Sequence, residues 1–154
     1  MDFEVVWRDI ASLIGWGAAG LVILFVARRV YDRITPFDLK KELVGDKNTA
    51  VGVSQGMFML ASAVIVHGTI SADHVLIEKS TMFEVDLTLW LQEFGVTVVI
   101  LALSFGLLGL GRAILSRSLP FDFDREIHEN DNLAVGLVEG FFYLAFAVIV
   151  HAAL

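Results

Sequence analysis

The chain has 154 residues, of which 56% are hydrophobic and only 19% are charged, and its formal net charge is -7. Soluble globular chains average roughly 45 to 50% apolar and about 25% charged residues, so this composition excludes an ordinary soluble domain. The sequence has no cysteine, which excludes disulfides, thiolate nucleophiles and cysteine-ligated metals.

Four apolar stretches are long enough to cross a bilayer, which requires about 20 helical residues. They cover residues 10–30, 50–70, 94–115 and 133–154. The first stretch is not typical of a secretory signal, because acidic residues precede it and arginines follow it. The pattern predicts an all-α membrane protein with four transmembrane helices.

Lysine and arginine predict the orientation, because short loops that contain them stay on the cytoplasmic side. Nine of these residues lie in or beside the loops after spans 1 and 3, and only Arg8 and Lys79 lie on the opposite side. We expect both loops in the cytoplasm and both termini outside.

Four arginines at the inner ends of spans 1 and 3 are interpreted as topology anchors that reach toward lipid phosphates. They are Arg28, Arg33, Arg112 and Arg117.

One unit occurs twice in the chain, displaced by 84 positions. Residues 35–68 and 119–152 share 17 identities in 34 positions, whereas residues 7–34 and 91–118 share four in 28. Each copy holds two spans, so both have the same orientation, and parallel repeats are related by an axis along the membrane normal. We predict a single integral membrane domain over residues 1–154, with repeats 7–70 and 91–154 in a pseudo-twofold bundle.

A polar turn joins the two spans of each copy. The motif Pro-Phe-Asp opens the turn at residues 36–38 and again at residues 120–122, and it is typical of the start of a short interfacial helix. Asn48 and Asn132 stand immediately before the apolar runs of spans 2 and 4. A side-chain oxygen at this position accepts from unpaired helix amides, so we predict that both asparagines are helix caps.

Spans 2 and 4 each contain two glycines four residues apart, Gly52 with Gly56 and Gly136 with Gly140. Such glycines share one helix face and allow another helix to approach closely in a membrane. Because this part of the unit diverged least between the copies, we expect the two glycine faces to pack on each other around a shared axis. The same faces are expected to support self-association.

Glu139 is the acidic residue inside a predicted span, and Gln55 is its counterpart in the first copy. An intramembrane carboxylate is expensive when it faces lipid, so we expect Glu139 to face the bundle. A hydrogen bond between Gln55 and Glu139 is the structural interpretation. A proton or cation pathway through both residues is the functional interpretation.

His67 and His151 lie near the outer ends of spans 2 and 4, on the same stripes as the glycines. If spans 2 and 4 flank the axis, the two imidazoles approach each other. They then form either a hydrogen-bonded pair or a bis-histidine site for haem or another metal. We expect no cofactor, because two histidines alone are weak evidence for one.

The sequence contains no phosphate-binding loop, nucleophile elbow, zinc motif or dinucleotide fingerprint. Its basic residues are too few and too scattered for nucleic-acid binding. The outer loop at residues 71–90 shows no catalytic pattern, and its apolar segments are expected to lie on the outer surface. We therefore expect that the protein is not an enzyme.

The doubled pattern, Pro-Phe-Asp followed by Asn-x-Ala-Val-Gly-x-x-x-Gly at residues 48–56 and 132–140, resembles the bacterial inner-membrane family called domain of unknown function 350. The resemblance covers essentially the whole chain and implies a multi-pass inner-membrane protein, with a peripheral membrane protein as a partner at the cytosolic turns. It implies no activity.

The main hypothesis is a structural or interaction protein in the lipid bilayer that forms homo-oligomers. The alternatives are a small channel or transporter that uses Glu139, and a bis-histidine haem or metal protein.

Overall fold

A computed structural model describes residues 3–71 and 87–154, and the regular structure in these ranges is helical. Its helices are α1 (Phe3–Ile34), α2 (Thr49–Ser71), α3 (Leu87–Ser118), α4 (Phe123–His128) and α5 (Leu133–Ala153). A short π-helical segment, Lys41–Asp46, lies between α1 and α2. The predicted outer loop at residues 71–90 falls mostly outside the described ranges.

Four of these helices are long and apolar enough to cross a membrane, which confirms the predicted all-α architecture with four spans. The apolar stretches are Leu13–Ile34, Thr49–Thr69, Gly95–Ser118 and Leu133–Ala153. The helices run without interruption because both prolines of the chain, Pro36 and Pro120, lie between spans. A proline inside a span would remove a helical hydrogen bond.

The two polar turns lie together at one end of the bundle, which we call the turn end. Each turn ends on a residue with a left-handed backbone, Lys47 at φ 55° and Asp131 at φ 45°, which redirects the chain into the next helix. Asn48 and Asn132 follow directly. Their side-chain oxygens accept from the amides three residues later, at 2.9 Å and 3.4 Å, so each asparagine caps a helix.

Helices α2 and α5 form the central pair, with α1 beside α2 and with α3 in contact with both. The pair is parallel, because Gly136 near the start of α5 contacts Ala50 near the start of α2. Near the other end, the His67 and His151 rings stack. The parallel arrangement places both turns at the same end of the molecule.

Gly136 and Gly140 allow the backbones of α5 and α2 to approach closely. A Cβ atom on Gly136 would lie 2.6 Å from the Ala50 carbonyl oxygen, and one on Gly140 would lie 2.8 Å from the Met57 Cβ. Distances this short are not tolerated by real Cβ atoms. The second copy therefore uses its glycines as contact points with α2.

The expectation that the two glycine faces meet each other is wrong for the first copy. Within the part of the chain that the structure describes, a Cβ on Gly52 would have only the Leu43 side chain within 4 Å, at 3.5 Å, and one on Gly56 would have no such neighbour. The glycine face of α5 packs instead on an adjacent face of α2 that includes Ala50 and Met57. A polar contact from that adjacent face, between Ser54 and Glu139 of α5, fixes this rotation of α2.

Candidate intramembrane polar site

Glu139 lies in the second turn of α5, and its side chain is completely buried. Its Oε1 accepts from Arg112 Nε at 2.7 Å and from Tyr143 Oη at 3.3 Å. Its Oε2 accepts from the Ser54 hydroxyl. The carboxylate therefore faces the bundle, and both of its oxygens are bound.

Arg112 of α3 supplies the positive charge. Its side chain is 6% exposed, and its guanidinium pairs with Glu139 through Nε and with Asp124 of α4 through Nη2. The interpretation of Arg112 as a lipid-facing anchor is therefore wrong. A buried charge costs several kcal/mol unless it is paired, and the two carboxylates provide that pairing. Arg28, the matching residue of the first copy, is exposed.

Two tyrosines extend the polar contacts to α1 and along α5. Tyr31 Oη donates to Ser54 Oγ at 2.9 Å, and Ser54 in turn donates to Glu139. The rings of Tyr31 and Tyr143 both pack on Phe58, with centroid distances of 5.2 Å and 4.9 Å. Phe58 thus holds the rings of both tyrosines that take part in the polar contacts.

We call this set of side chains the charge network. It consists of Tyr31, Ser54, Arg112, Asp124, Glu139 and Tyr143. All five α-helices contribute at least one member, so the network fixes their mutual positions. Hydrogen bonds to charged groups are worth about 1.5 to 3 kcal/mol each, and removal of one partner leaves the other unsatisfied.

Gln55 does not join the charge network. Within the described residues no hydrogen bond connects Gln55 to Glu139, so the structural interpretation of this pair is wrong. Successive helix residues are separated by about 100°, so only one of Ser54 and Gln55 can face Glu139. Ser54 occupies that position.

Sequence reasoning missed Arg112 as the partner of Glu139, although depth in the membrane was an available signal. Arg112 lies six residues before Ser118, the end of α3, and Glu139 lies six residues after Leu133, the start of α5. At about 1.5 Å per residue, both side chains leave their helices at a similar distance from the turn end. An arginine and a glutamate at equal depth inside apolar spans favour an ion pair.

A second polar cluster joins the two turns. Glu42 is buried, and its carboxylate lies 3.0 Å from Asn48 Nδ2 and 2.8 Å from His128 Nδ1. The same Asn48 nitrogen reaches the carbonyl oxygens of Ile127 and His128, at 2.9 Å and 3.0 Å. Asn48 is therefore both a helix cap and a bridge between the copies.

The matching contacts in the second turn stay within that turn. Glu126 accepts from Asn132 and from Asn130, both at 2.7 Å, and these hydrogen bonds lower the pKa of Glu126, with Asn132 as the larger cause. Because the folded-state pKa is lowered, this contribution to stability is lost as the pH falls through it. Asp131 instead reaches the other copy, where it accepts from the Ala50 amide at 2.8 Å.

This difference predicts unequal effects of removing the two caps. Asn132→Ala removes a cap and one hydrogen bond to Glu126, which keeps Asn130 as a second donor, and it is expected to lower the free energy of unfolding by about 1 kcal/mol. Asn48→Ala also leaves Glu42 and two carbonyls short of a donor, so we expect a loss of about 3 kcal/mol. Unfolding in mixed detergent micelles, followed by circular dichroism, measures both. Equal losses would contradict the bridging role of Asn48.

His67 and His151 come together at the other end of the central pair. His67 Nδ1 lies 3.1 Å from His151 Nε2, and the rings stack with centroids 5.3 Å apart. Among the residues that the structure describes, no group of three or more histidine and acidic side chains could hold a metal ion. The observed geometry is that of a hydrogen-bonded pair.

Comparisons with known proteins find one relationship. A family model with the description Domain of Unknown Function (DUF350) matches residues 5–154, nearly the whole chain. Searches of the curated proteins and of the solved structures find no match. The family match confirms the resemblance seen in the sequence and brings no activity with it.

Proposed function

Because the chain belongs to the family of the Domain of Unknown Function (DUF350), we propose a role from its own geometry: a non-enzymatic multi-pass protein of the bacterial inner membrane that assembles with copies of itself. The excess of lysine and arginine beside the turns supports an orientation with the turn end in the cytoplasm and both termini outside. A peripheral membrane protein that docks on the cytosolic turns belongs to the same proposal.

One observation carries the proposal of self-association: the glycine face of α2 has no helix packed on it within the described chain. This face comprises Gly52, Gly56 and Ala63. Gly56 and Ala63 are exposed, whereas the matching glycines of α5 are buried against α2. His67, farther along the same stripe, stacks on His151 of α5 and is not part of this face. Small residues drive helix association in membranes because they allow close backbone contact. The α2 face thus has the sequence of a packing surface and lacks a partner.

The charge network supports a structural role for Glu139 over a transport pathway. Both carboxylate oxygens are bound, and Arg112 compensates the negative charge inside the bundle. A group that carries a proton across a membrane must exchange it with a neighbour, and such exchange would break the pairing. The geometry therefore favours Glu139 as a link that holds the helices of each subunit in position.

Mass measurement in lipid nanodiscs tests self-association. The protein is expected to be larger than a monomer, and Gly56→Leu is expected to shift it toward the monomer, because the larger side chain keeps a partner helix away. Gly106→Leu is the matched control, since Gly106 of α3 is also exposed and has no atom within 4 Å of its Cβ position. A monomeric wild type would exclude the proposal.

A further inference from the structure

Near the turn end, the contact between α2 and α5 does not use the same residues from both copies, although the equivalent residues His67 and His151 stack at the other end. Gly136 contacts Ala50, and Gly140 contacts Met57. A contact with exact twofold exchange would also bring Gly52 to Ala134 and Gly56 to Phe141. Neither pair meets, because among the described residues a Cβ on Gly52 would have only Leu43 within 4 Å and one on Gly56 would have no such neighbour. The two copies therefore contact each other through two different faces. Such a contact between parallel helices is heterologous, and we call it head to tail.

We call the face of α2 that accepts α5 the receiving face. It consists of Ala50, Ser54, Met57 and Gly68, which contact Gly136, Glu139, Gly140 and His151 of α5, respectively. The residues 84 positions later form the receiving face of α5. They are Ala134, Val138, Phe141 and Ala152, and all four are exposed. Within residues 3–71 and 87–154, the glycine face of α2 and the receiving face of α5 therefore have no helix packed on them.

We propose that the glycine face of α2 in one chain packs on the receiving face of α5 in a second copy of this chain, so that the contact inside the chain is repeated between chains. This inference rests on the proposed self-association and specifies its geometry. Gly56 then lies against Phe141 of the next copy, as Gly140 lies against Met57 within the chain. Gly52 lies against Ala134 in the same way.

The charges of the two turns support this pairing. Residues 28–47 carry six cations and four anions, a net charge of +2, whereas the matching residues 112–131 carry three cations and five anions, a net charge of -2. The head-to-tail contact places a basic turn beside an acidic turn both within and between chains. A symmetric contact between two α2 helices would place two basic turns together, which is unfavourable.

The backbone of the first turn offers a matching polar contact. Within the chain, the side-chain nitrogen of Asn48 donates to the carbonyl oxygens of Ile127 and His128. The corresponding contact between chains joins Asn132 to the carbonyl oxygen of Val44 in the next copy. Val44 is 71% exposed, so the surface of the first turn at this residue is open to a second chain. A repeated head-to-tail contact produces a ring if its rotation closes and an open row if it does not.

Disulfide crosslinking tests the inference directly, because the chain has no cysteine of its own. In native membranes, the double variant Gly56→Cys with Phe141→Cys is expected to form a ladder of covalent multimers on oxidation. Each single variant is expected to stay largely monomeric on the same gel. A second pair, Gly52→Cys with Ala134→Cys, should give the same ladder if the first pair disturbs folding. Gly106→Cys with Phe141→Cys is the control that should give none.

The outcomes separate this inference from the proposed function. A ladder from both designed pairs supports the head-to-tail contact. Dimers from Gly56→Cys alone indicate a symmetric α2 contact, which overturns the inference and leaves self-association in place. A multimeric mass without crosslinks from either pair also overturns the inference and leaves self-association in place. A monomeric mass together with no crosslinks excludes both proposals.

Discussion

Arg112→Met is expected to lower the free energy of unfolding by about 3 to 5 kcal/mol, because removal of one member of a buried ion pair leaves the other charge without compensation. Glu139 would lose its 2.7 Å contact with Arg112 Nε while it stays buried. The cost of leaving Asp124 unpaired is smaller, because its side chain is 37% exposed and water can hydrate the carboxylate. Unfolding of the purified protein in mixed detergent micelles measures the loss.

The internal duplication supplies the control for this experiment. Arg28 occupies the position of Arg112 in the first copy but is exposed, so Arg28→Met should change the free energy of unfolding by less than about 0.5 kcal/mol. Adding Glu139→Gln to Arg112→Met removes the unpaired charge and should recover most of the loss, and glutamine is the residue that the first copy has at this position. Similar losses from Arg28→Met and Arg112→Met would show that the ion pair does not stabilise the bundle.

Gly136→Ala is expected to destabilise the α2–α5 pair by about 1 to 3 kcal/mol, which is the usual result of forcing extra atoms into a packed contact. The new methyl group would lie 2.6 Å from the Ala50 carbonyl oxygen and 2.9 Å from the Ala50 Cα. These are backbone atoms, so a change of side-chain rotamer cannot relieve the overlap and the helices must separate. Thermal unfolding followed by circular dichroism measures the effect.

Gly52→Ala is the matched control for Gly136→Ala. Among residues 3–71 and 87–154, its methyl group would have only the Leu43 side chain within 4 Å, at the ordinary contact distance of 3.5 Å. Alanine favours helix more than glycine does, by about 1 kcal/mol, so the variant should be neutral or slightly stabilised. If Gly52→Ala destabilised the isolated subunit as strongly as Gly136→Ala, the assignment of different contact faces to α2 and α5 would be incorrect.

The membrane architecture could be predicted from local information. Span lengths, the two prolines between spans and the asparagines before apolar runs are each properties of a short segment. Hydrogen bonding within each helix leaves few alternatives for such a segment in lipid. For this reason the four spans followed from the length and composition of the apolar stretches, and the doubled motif alone carried the resemblance to the family.

The charge network could be predicted only in part. The burial of Glu139 toward the bundle follows from the energetic penalty of a carboxylate in lipid. Its partners on other helices depend on the rotation of α2 and α3 about their axes, and a rotation of α2 by about 100° exchanges Ser54 for Gln55. The sequence contains an equally good polar candidate at each of these two positions, so the choice required the tertiary contacts.

By itself, the sequence determined that this protein has four apolar helices, that two of them are near-copies, and that Glu139 needs a partner inside the bundle. Only the tertiary structure decided that Arg112 is that partner and that α5 uses its glycines while α2 leaves Gly56 open. The physical reason is that two similar helices can pack through the same face or through different faces. Non-local polar contacts, from Ser54 to Glu139 and from Asn48 to the second turn, select the second arrangement.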